Sequence, residues 1–320
     1  MLAKSMLLLT LSLGLVSSQV WASTTMLLFA QGSSGQLALL DPASGKLSRI
    51  AVGPVTHGVA VLPHRARAYT ASFGSKEVMV VDLQRQRVLK SIEVGGPSHH
   101  VAASPNGRWV YVTVGSTHSV AVIDTHTDTR VATIPVGAAP VYTVFTPEGQ
   151  KAYVSSMKAG TVSVIDVATR QVLKTIRVGM GPGHLAMAPT GKALYVVNGA
   201  SETVTVIDTA QDVVTASIPV GKGPHGIAVA RGDGRTLLYV GNRGEKTLSI
   251  IDTARNEVIT TVPLGVDPEH LTVAPGGQSL YIGSLPAQSL LVFDTIARKV
   301  VKRFDIGGAI HQIALWSTRG

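Results

Sequence analysis

The chain contains no cysteine, and charged and aromatic residues are scarce, at 15% and 5% of its 320 residues. The missing cysteine excludes disulfides, thiolate metal sites, cysteine nucleophiles and lipidation at cysteine. Glycine motifs for nucleotide binding and serine-nucleophile motifs are also absent, which argues against those enzyme classes. What is present is 45% apolar with 33 glycines and 16 prolines. That composition is typical of a globular protein with many turns and a large packed core.

The first residues, MLAKSMLLLTLSLGLVSSQVWA, predict a secretory signal peptide. They combine the basic Lys4, an apolar stretch from Met6 to Val16, and a small-residue cleavage signal that ends at Ala22. The apolar stretch is shorter than the roughly 20 residues that a membrane-spanning helix requires. We therefore expect residues 1–22 to be removed and residues 23–320 to form one domain. The mature protein should be periplasmic or secreted, monomeric, and without an integral membrane segment.

The formal charge of the chain is +9, which favours acidic partners such as nucleic acid or anionic surfaces. The basic residues are scattered along the chain rather than gathered in one dense tract. Only three tryptophans and five phenylalanines are available to stack on bases. Nucleic acid therefore ranks below a small ligand, a metal ion or a protein as the predicted partner.

A repeat of about 42 residues runs through the chain. Its markers are a glycine turn, an apolar-apolar-Asp motif and a tyrosine, each recurring at nearly constant intervals. One interval is 44 residues long, because two extra residues occur in Arg231-Gly232-Asp233-Gly234-Arg235, where we expect a longer hairpin loop. The turn glycines are Gly53, Gly95, Gly137, Gly179, Gly221, Gly265 and Gly307, and the aspartates are Asp41, Asp82, Asp124, Asp166, Asp208, Asp252 and Asp294.

Each repeat divides into four short β-type runs, such as GIAV, LLYV, TLSIID and EVITT between residues 226 and 261. The runs are too short and too β-branched for helices, and hairpin turns such as PNG and PEG separate the first two. Four antiparallel strands per repeat are typical of a propeller blade. Residues 27–50 supply only the last three strands of a blade and residues 310–316 only the first. The sequence therefore predicts an all-β, seven-bladed β-propeller that is closed by joining its two termini in one blade.

The phrases TVSVIDVATRQVLKTIRVG, TVTVIDTAQDVVTASIPVG and YVVNGASETVTVID resemble the YVTN-type β-propeller repeat family. The resemblance covers nearly the whole mature chain, from about Met26 to Trp316. It implies an exported or cell-surface seven-bladed propeller, in a family whose ligands are diverse. Function must therefore be argued from the site rather than from the fold.

The repeated aspartate lies where the third strand turns into the fourth, so its carboxylate can accept backbone N–H groups within the turn. Seven aligned carboxylates could suggest catalysis. A residue that every blade requires is better explained by a role in building blades. We therefore interpret the aspartates as structural.

Seven of the ten histidines occur at one place in the repeat, the fourth or fifth residue after the turn glycine. Only the third repeat lacks one, with Val141 and Tyr142 in those positions. These residues precede the first strand of each blade, which is the innermost strand of a propeller. We therefore expect them to converge on one mouth of the central channel. We call them the histidine cluster: His57, His99, His100, His184, His225, His270 and His311.

Three interpretations of the histidine cluster remain open. Each histidine could be a repeat residue that hydrogen-bonds the neighbouring blade, although the alternation between two positions argues against one shared structural role. Neutral imidazoles suit transition metals, and without cysteine an all-nitrogen copper or zinc site is predicted. His270, beside Glu269 and Asp267, could instead serve as an acid or base in a lyase.

A binding module is favoured over an enzyme, because only one repeat places carboxylates beside a histidine. The loops between second and third strands should open on the same face as the histidine cluster, which adds polar residues farther from the axis. With all seven histidines assigned as metal ligands, the other predicted ligand-binding residues are Tyr142, Glu269, Lys76, His118, Lys158, Asn242 and Arg243.

Overall fold

Over its described residues, the computed structural model contains 28 strands that form seven antiparallel sheets of four, which confirms the predicted all-β seven-bladed propeller. The structure describes residues 24–232 and 234–318, so the predicted signal peptide, residues 1–22, lies outside the described residues. Two single-turn 3₁₀ helices, Gly115–Thr117 and Arg243–Glu245, lie in loops. Within the described ranges, no helix is long and apolar enough to cross a membrane.

Blades are numbered in chain order, and the strands of each blade are given from the innermost to the outermost. Blade 1 contains β4 Thr56–Val61, β5 Arg67–Ser72, β6 Glu77–Asp82 and β7 Arg87–Glu93; blade 2 contains β8 Ser98–Ala103, β9 Trp109–Val114, β10 Ser119–Asp124 and β11 Thr129–Pro135; blade 3 contains β12 Pro140–Phe145, β13 Lys151–Ser156, β14 Thr161–Asp166 and β15 Gln171–Arg177; blade 4 contains β16 Pro182–Met187, β17 Ala193–Asn198, β18 Thr203–Asp208 and β19 Val213–Pro219.

Blade 5 contains β20 Pro224–Gly232, β21 Arg235–Asn242, β22 Thr247–Asp252 and β23 Glu257–Pro263; blade 6 contains β24 His270–Val273, β25 Ser279–Ser284, β26 Ser289–Asp294 and β27 Lys299–Asp305; blade 7 contains β28 Ile313–Thr318, followed outward by β1 Thr24–Gln31, β2 Gln36–Leu40 and β3 Leu47–Ala51.

Burial follows the position of a strand in its blade, because neighbouring blades cover both faces of the middle strands. In β14, Val162 is fully buried on one face and Ser163 is 1% exposed on the other. In the outer strand β15 every residue except Ile176 is exposed. Apolar clusters accordingly lie between consecutive blades, as where Tyr69 of blade 1 meets Val112 of blade 2. Apolar contact between blades holds the ring together.

The two termini close the ring as the sequence predicts. Strand β28 pairs antiparallel with β1, with Leu27 opposite Leu315 and Phe29 opposite Ile313. The sheet order β28, β1, β2, β3 therefore places the last strand of the chain innermost and the first three outside it. This pairing covers an edge of β1 that would otherwise be free to associate with other chains.

The repeated aspartate has the structural role that its position predicts. In each blade its carboxylate accepts a backbone N–H in the turn that follows, as Asp124 does from His126 N at 2.8 Å. The other six make equivalent bonds. A second polar contact links blades: the Tyr153 hydroxyl donates to Asp212 at 2.6 Å, and Lys151 Nζ donates to the same carboxylate at 2.7 Å. These two kinds of contact account for the polar residues by their role in the structure, without a catalytic role.

The two-residue insertion in blade 5 lengthens strands rather than a loop, which differs from the sequence-based expectation. Pairing continues through Arg231 with Thr236 and Gly232 with Arg235. The insertion lies at the end of β20 remote from the histidine cluster and does not alter it.

Candidate functional site

In four blades the histidines of the cluster lie at a β-bulge where the inner strand begins. In blade 1, Thr56 pairs with Ser72 and Gly58 with Ala71, so that His57 is the extra, unpaired residue. Register shifts span the corresponding residues of blades 2, 4 and 5. A bulge bends the strand locally and re-aims its side chains. In these four blades the bulge therefore turns the imidazoles out of the ladder. His270 instead pairs with Gly283 without a register shift, and His311 precedes its strand.

The two sequence positions give two levels of burial. Histidines at the fourth position, such as His57 and His225, are half-buried at the channel mouth. Those at the fifth position are deeper: His100 is 3% exposed, His184 4% and His270 3%. The alternation that looked irregular in the sequence thus separates an outer level of imidazoles from an inner one.

Close packing between blades explains why glycine follows two of the outer histidines. A Cβ at Gly226 would lie 2.5 Å from the carbonyl oxygen of Glu269, and one at Gly58 would lie 3.1 Å from that of His99. The same carbonyl oxygens accept hydrogen bonds from imidazoles, at 3.0 Å from His57 Nδ1 and 2.8 Å from His225 Nδ1. With Nδ1 as donor to a carbonyl, Nε2 carries the lone pair.

The imidazoles form a nearly continuous ring around the mouth. Ring centroids are separated by 4.3 Å between His57 and His99, 4.5 Å between His57 and His311, and 4.2 Å between His184 and His225. His270 reaches across the ring, with centroids 4.5 Å from His184 and 5.9 Å from His57. The expected convergence of side chains remote in sequence is therefore present in the fold.

Two groups within the cluster have the geometry of candidate metal sites. His57, His270 and His311 form one group, and His184, His225 and His270 form the other; in each, the ligand nitrogens lie within 4.8 Å of one another. Three atoms so placed share a point within about 2.8 Å of each, against Zn–N bonds of roughly 2.0–2.1 Å. Small side-chain rotations would bring either group to bonding distance.

His99 and His100, which are adjacent in the sequence, lie in the cluster but belong to neither group. The His100 ring stacks on Tyr142 with centroids 3.6 Å apart, and its Nδ1 accepts the Thr143 N–H at 3.2 Å. Nδ1 of His99 and Nε2 of His100 are buried, and neither has a hydrogen-bond partner in the part of the chain that the structure describes. The pair thus packs against its neighbours beside the two groups.

Burial keeps the imidazoles of the cluster neutral at pH 7. It lowers the pKa of His57 to about 2 and that of His99 to about 4, because the charged ring loses its hydration, and nearby histidines add to both shifts. The Glu269 carboxylate opposes part of this lowering of the pKa at His225 and His311. Burial is also the main cause of a lowered pKa at His100, His184, His225, His270 and His311.

Glu269 is the buried carboxylate of the site, and its main partner is Arg243. Both carboxylate oxygens accept from Arg243 Nη1 at 3.1 Å, and one lies 3.2 Å from His225 Nδ1. Asp267, the other acidic residue named with His270, lies instead 3.8 Å from Lys246. The carboxylates predicted as acid-base partners of His270 thus contact other side chains.

The remaining predicted ligand-binding residues differ in position. Lys76, Lys158 and His118 are exposed on loops that flank the mouth. Asn242 is fully buried and donates within its own blade to Thr247 and Ser249, at 3.0 and 2.9 Å.

Sequence reasoning missed Phe73. Its ring centroid lies 4.5 Å from that of His57 and 4.9 Å from that of His99, and the residue is 43% exposed. The sequence offers one signal for this contact: Phe73 lies in the loop between the second and third strands of blade 1, and those loops are predicted to open on the same face as the histidine cluster.

The central channel continues on the opposite side of the cluster as a cavity of about 530 Å³. All seven inner strands line it, mostly with aliphatic side chains such as Val61, Leu185 and Val229. His100 and Tyr142 are the cluster-level residues that reach this cavity. The imidazoles of the two groups therefore face the mouth rather than the channel.

Comparisons with known proteins place the chain among β-propellers. The YNCE-like beta-propeller family matches residues 69–230. A search of curated proteins finds no match.

Solved structures share the fold at low sequence identity. Kuenenia stuttgartiensis hydrazine synthase has a TM-score of 0.74 and 23% identity, covering 84% of this chain and 92% of that one. The Pseudomonas aeruginosa periplasmic gluconolactonase PpgL has a TM-score of 0.75 and 17% identity, covering 92% and 99%. The dihydro-heme d1 dehydrogenase NirN, in complex with DHE, has a TM-score of 0.73 and 18% identity over 88% of this chain; the chain spans 63% of NirN. Such identities support the fold alone.

Proposed function

The chain belongs to the YNCE-like β-propeller family, and from that premise we propose that it is a binding module whose histidine cluster holds a transition-metal ion, copper or zinc. The observation that carries this proposal is the convergence of ligand nitrogens within 4.8 Å of one another at the channel mouth. Imidazole nitrogen is a preferred ligand of both metals.

Two properties of the cluster support metal binding over simple packing. His57 and His225 each donate Nδ1–H to a backbone carbonyl, the outer-shell contact that fixes a metal-binding imidazole with Nε2 as ligand. Burial also keeps the imidazoles neutral, so a metal ion does not have to displace a proton from the nitrogen lone pairs that it binds. A packing role alone accounts for the Nδ1 bonds but leaves the inward Nε2 atoms without a purpose.

The proposed role is binding rather than catalysis. The single buried carboxylate of the site, Glu269, is held by Arg243 through two hydrogen bonds, so it is poorly placed to exchange protons with a substrate. Exposed Lys76 and Lys158 lie on flanking loops, where they can contact an anionic group that accompanies the metal.

Metal uptake by tag-free protein tests the proposal, since an affinity tag of histidines would obscure the result. Protein stripped with a chelator and dialysed should bind at least one equivalent of Cu²⁺ or Zn²⁺ by calorimetry and elemental analysis. Replacing both His57 and His225 by Ala should weaken binding at least tenfold. The matched control replaces His64 and His126, two histidines that are exposed and outside the cluster. No uptake by the wild-type chain, or equal losses in the control, would refute a metal site.

We further propose that the protein is exported, on the evidence of the N-terminal sequence. N-terminal sequencing of protein recovered from the periplasm or medium of an expressing bacterium should begin at Ser23. Recovery only from the cytosol with Met1 retained would overturn export.

A further inference from the structure

The two histidine groups lie on opposite sides of one shared residue. His57 and His311 come from blades 1 and 7, His184 and His225 from blades 4 and 5, and His270 from blade 6 between them. Among the described residues, the two outer pairs do not combine into a single group of four within 4.8 Å. The geometry thus offers two separate points where nitrogens converge, with His270 next to both.

The two groups match in construction. Each contains one histidine oriented by a carbonyl of the next blade, His57 on one side and His225 on the other. Each also contains a neighbour close to that histidine, with centroids 4.5 Å apart for His57 and His311 and 4.2 Å apart for His184 and His225. The two neighbouring imidazoles on each side offer two ligands to an ion, and His270 offers the third ligand to either ion.

His270 is 3% exposed, and its ring nitrogens make no hydrogen bond to the described residues. His184, in the second group, is 4% exposed, and its Nε2 is buried without a hydrogen-bond partner among the described residues. Buried polar atoms in native proteins are nearly always paired, so an unpaired imidazole nitrogen at this depth lies where a ligand belongs. His57 and His225, in contrast, each commit Nδ1 to a backbone carbonyl.

We propose that His270 bridges two metal ions, one held with His57 and His311 and the other with His184 and His225. This inference rests on the proposed metal-binding function and specifies its stoichiometry and architecture. The first ion binds a lone pair of neutral His270; the second displaces the remaining ring proton, which passes to water, leaving an imidazolate with one nitrogen on each ion. No oxidant or reductant is needed.

The arrangement has an inherent asymmetry. The Glu269 carboxylate lies 3.2 Å from His225 Nδ1, whereas Phe73 packs against His57 on the other side. Arg243 donates to the same carboxylate and offsets part of its charge, and the remaining negative charge favours a dication beside His225. We therefore expect the site with His184 and His225 to fill first.

Copper titration of the tag-free, full chain at pH 7.5 tests the bridge. Calorimetry should give two equivalents of Cu²⁺ per chain. Electron paramagnetic resonance should show a normal signal after the first equivalent and a reduced signal after the second, because an imidazolate couples the two unpaired spins.

Single substitutions separate a bridge from alternatives. His311→Ala and His184→Ala should each retain one equivalent with an uncoupled signal, and His270→Gln should bind no more than one ion, at least tenfold more weakly. His126→Ala is the exposed control and should retain two coupled ions. Thermal unfolding is measured for each variant to check that it folds. If His270→Gln does not fold, the spectrum of the wild type and those of the two alanine variants decide whether the two ions are bridged.

The outcomes distinguish the two proposals. One equivalent in wild type, or two with no loss of signal, overturns the bridge and leaves metal binding intact. Zero equivalents overturns the proposed function itself.

Discussion

The stability of the metal-free protein should fall steeply between pH 7.5 and 5.5, because neutral histidines are buried at the channel mouth. Burial holds the pKa of His100, His184 and His270 well below 6.5 in the folded state, whereas the unfolded chain has ordinary values near 6.5. Below pH 6.5 the unfolded chain therefore binds more protons than the folded chain, and the free energy of unfolding decreases as the pH decreases. The sign is opposite to that of a histidine stabilised by an acidic partner.

The magnitude follows from the number of imidazoles that stay neutral. Lowering the pH from 7.5 to 5.5 costs about 1.4 kcal/mol for each such histidine, so these three together cost about 4 kcal/mol. The aspartates do not mask the effect, because the turn hydrogen bonds of Asp41 and Asp166 hold their carboxyl pKa values below 3.8. Their contribution is lost only at lower pH.

Urea unfolding at half-unit pH steps measures this loss directly. The free energy of unfolding should drop by about 4 kcal/mol or more over the two units, and His184→Gln should reduce the drop by about 1.4 kcal/mol. Gln replacements at exposed His64, His118 and His126 should leave the slope unchanged. A wild-type change smaller than about 1 kcal/mol would show that these imidazoles are not held neutral by the fold, and the reasoning would be wrong.

Two other predictions concern blade packing and the mouth. Asp212→Asn keeps a residue suited to the left-handed backbone conformation, φ 55°, but weakens the hydrogen bond from the Tyr153 hydroxyl. The free energy of unfolding measured in urea should therefore fall by about 1–2 kcal/mol. An unchanged urea midpoint would show that this hydrogen bond does not stabilise the contact between blades. Gly32→Ala places a Cβ 2.5 Å from His311 Nε2 and should weaken copper binding at least tenfold. Gly115→Ala, whose Cβ meets no atom within 4 Å, is the control and should leave copper affinity unchanged. Equal copper affinities of the two variants would argue against His311 as a ligand.

The repeat allowed much of the candidate site to be predicted. Because turn glycine, aspartate and tyrosine recur with a fixed spacing, the position of each histidine relative to the inner strand could be derived without any structure. The repeat does not mark Phe73, because this aromatic residue has no counterpart in the other repeats; only its place in a loop at the mouth points to its contact with the cluster. Nor could it show that Glu269 pairs with Arg243, since the two residues come from loops of different blades.

The sequence by itself determined the number of blades, the closure of the ring by both termini and the gathering of seven histidines at one mouth. Those features depend on strand periodicity and on repeat length, which are properties of the chain taken in order. Only the tertiary structure decided which imidazoles meet. His99 and His100 are adjacent in sequence yet lie outside both groups of three, while His270 lies next to partners from four other blades. The His57 and His225 rings are oriented by carbonyls of the next blade, which belong to residues 42 and 44 positions away in the sequence. The bulges that re-aim four blades' histidines likewise depend on how each inner strand pairs with its neighbour.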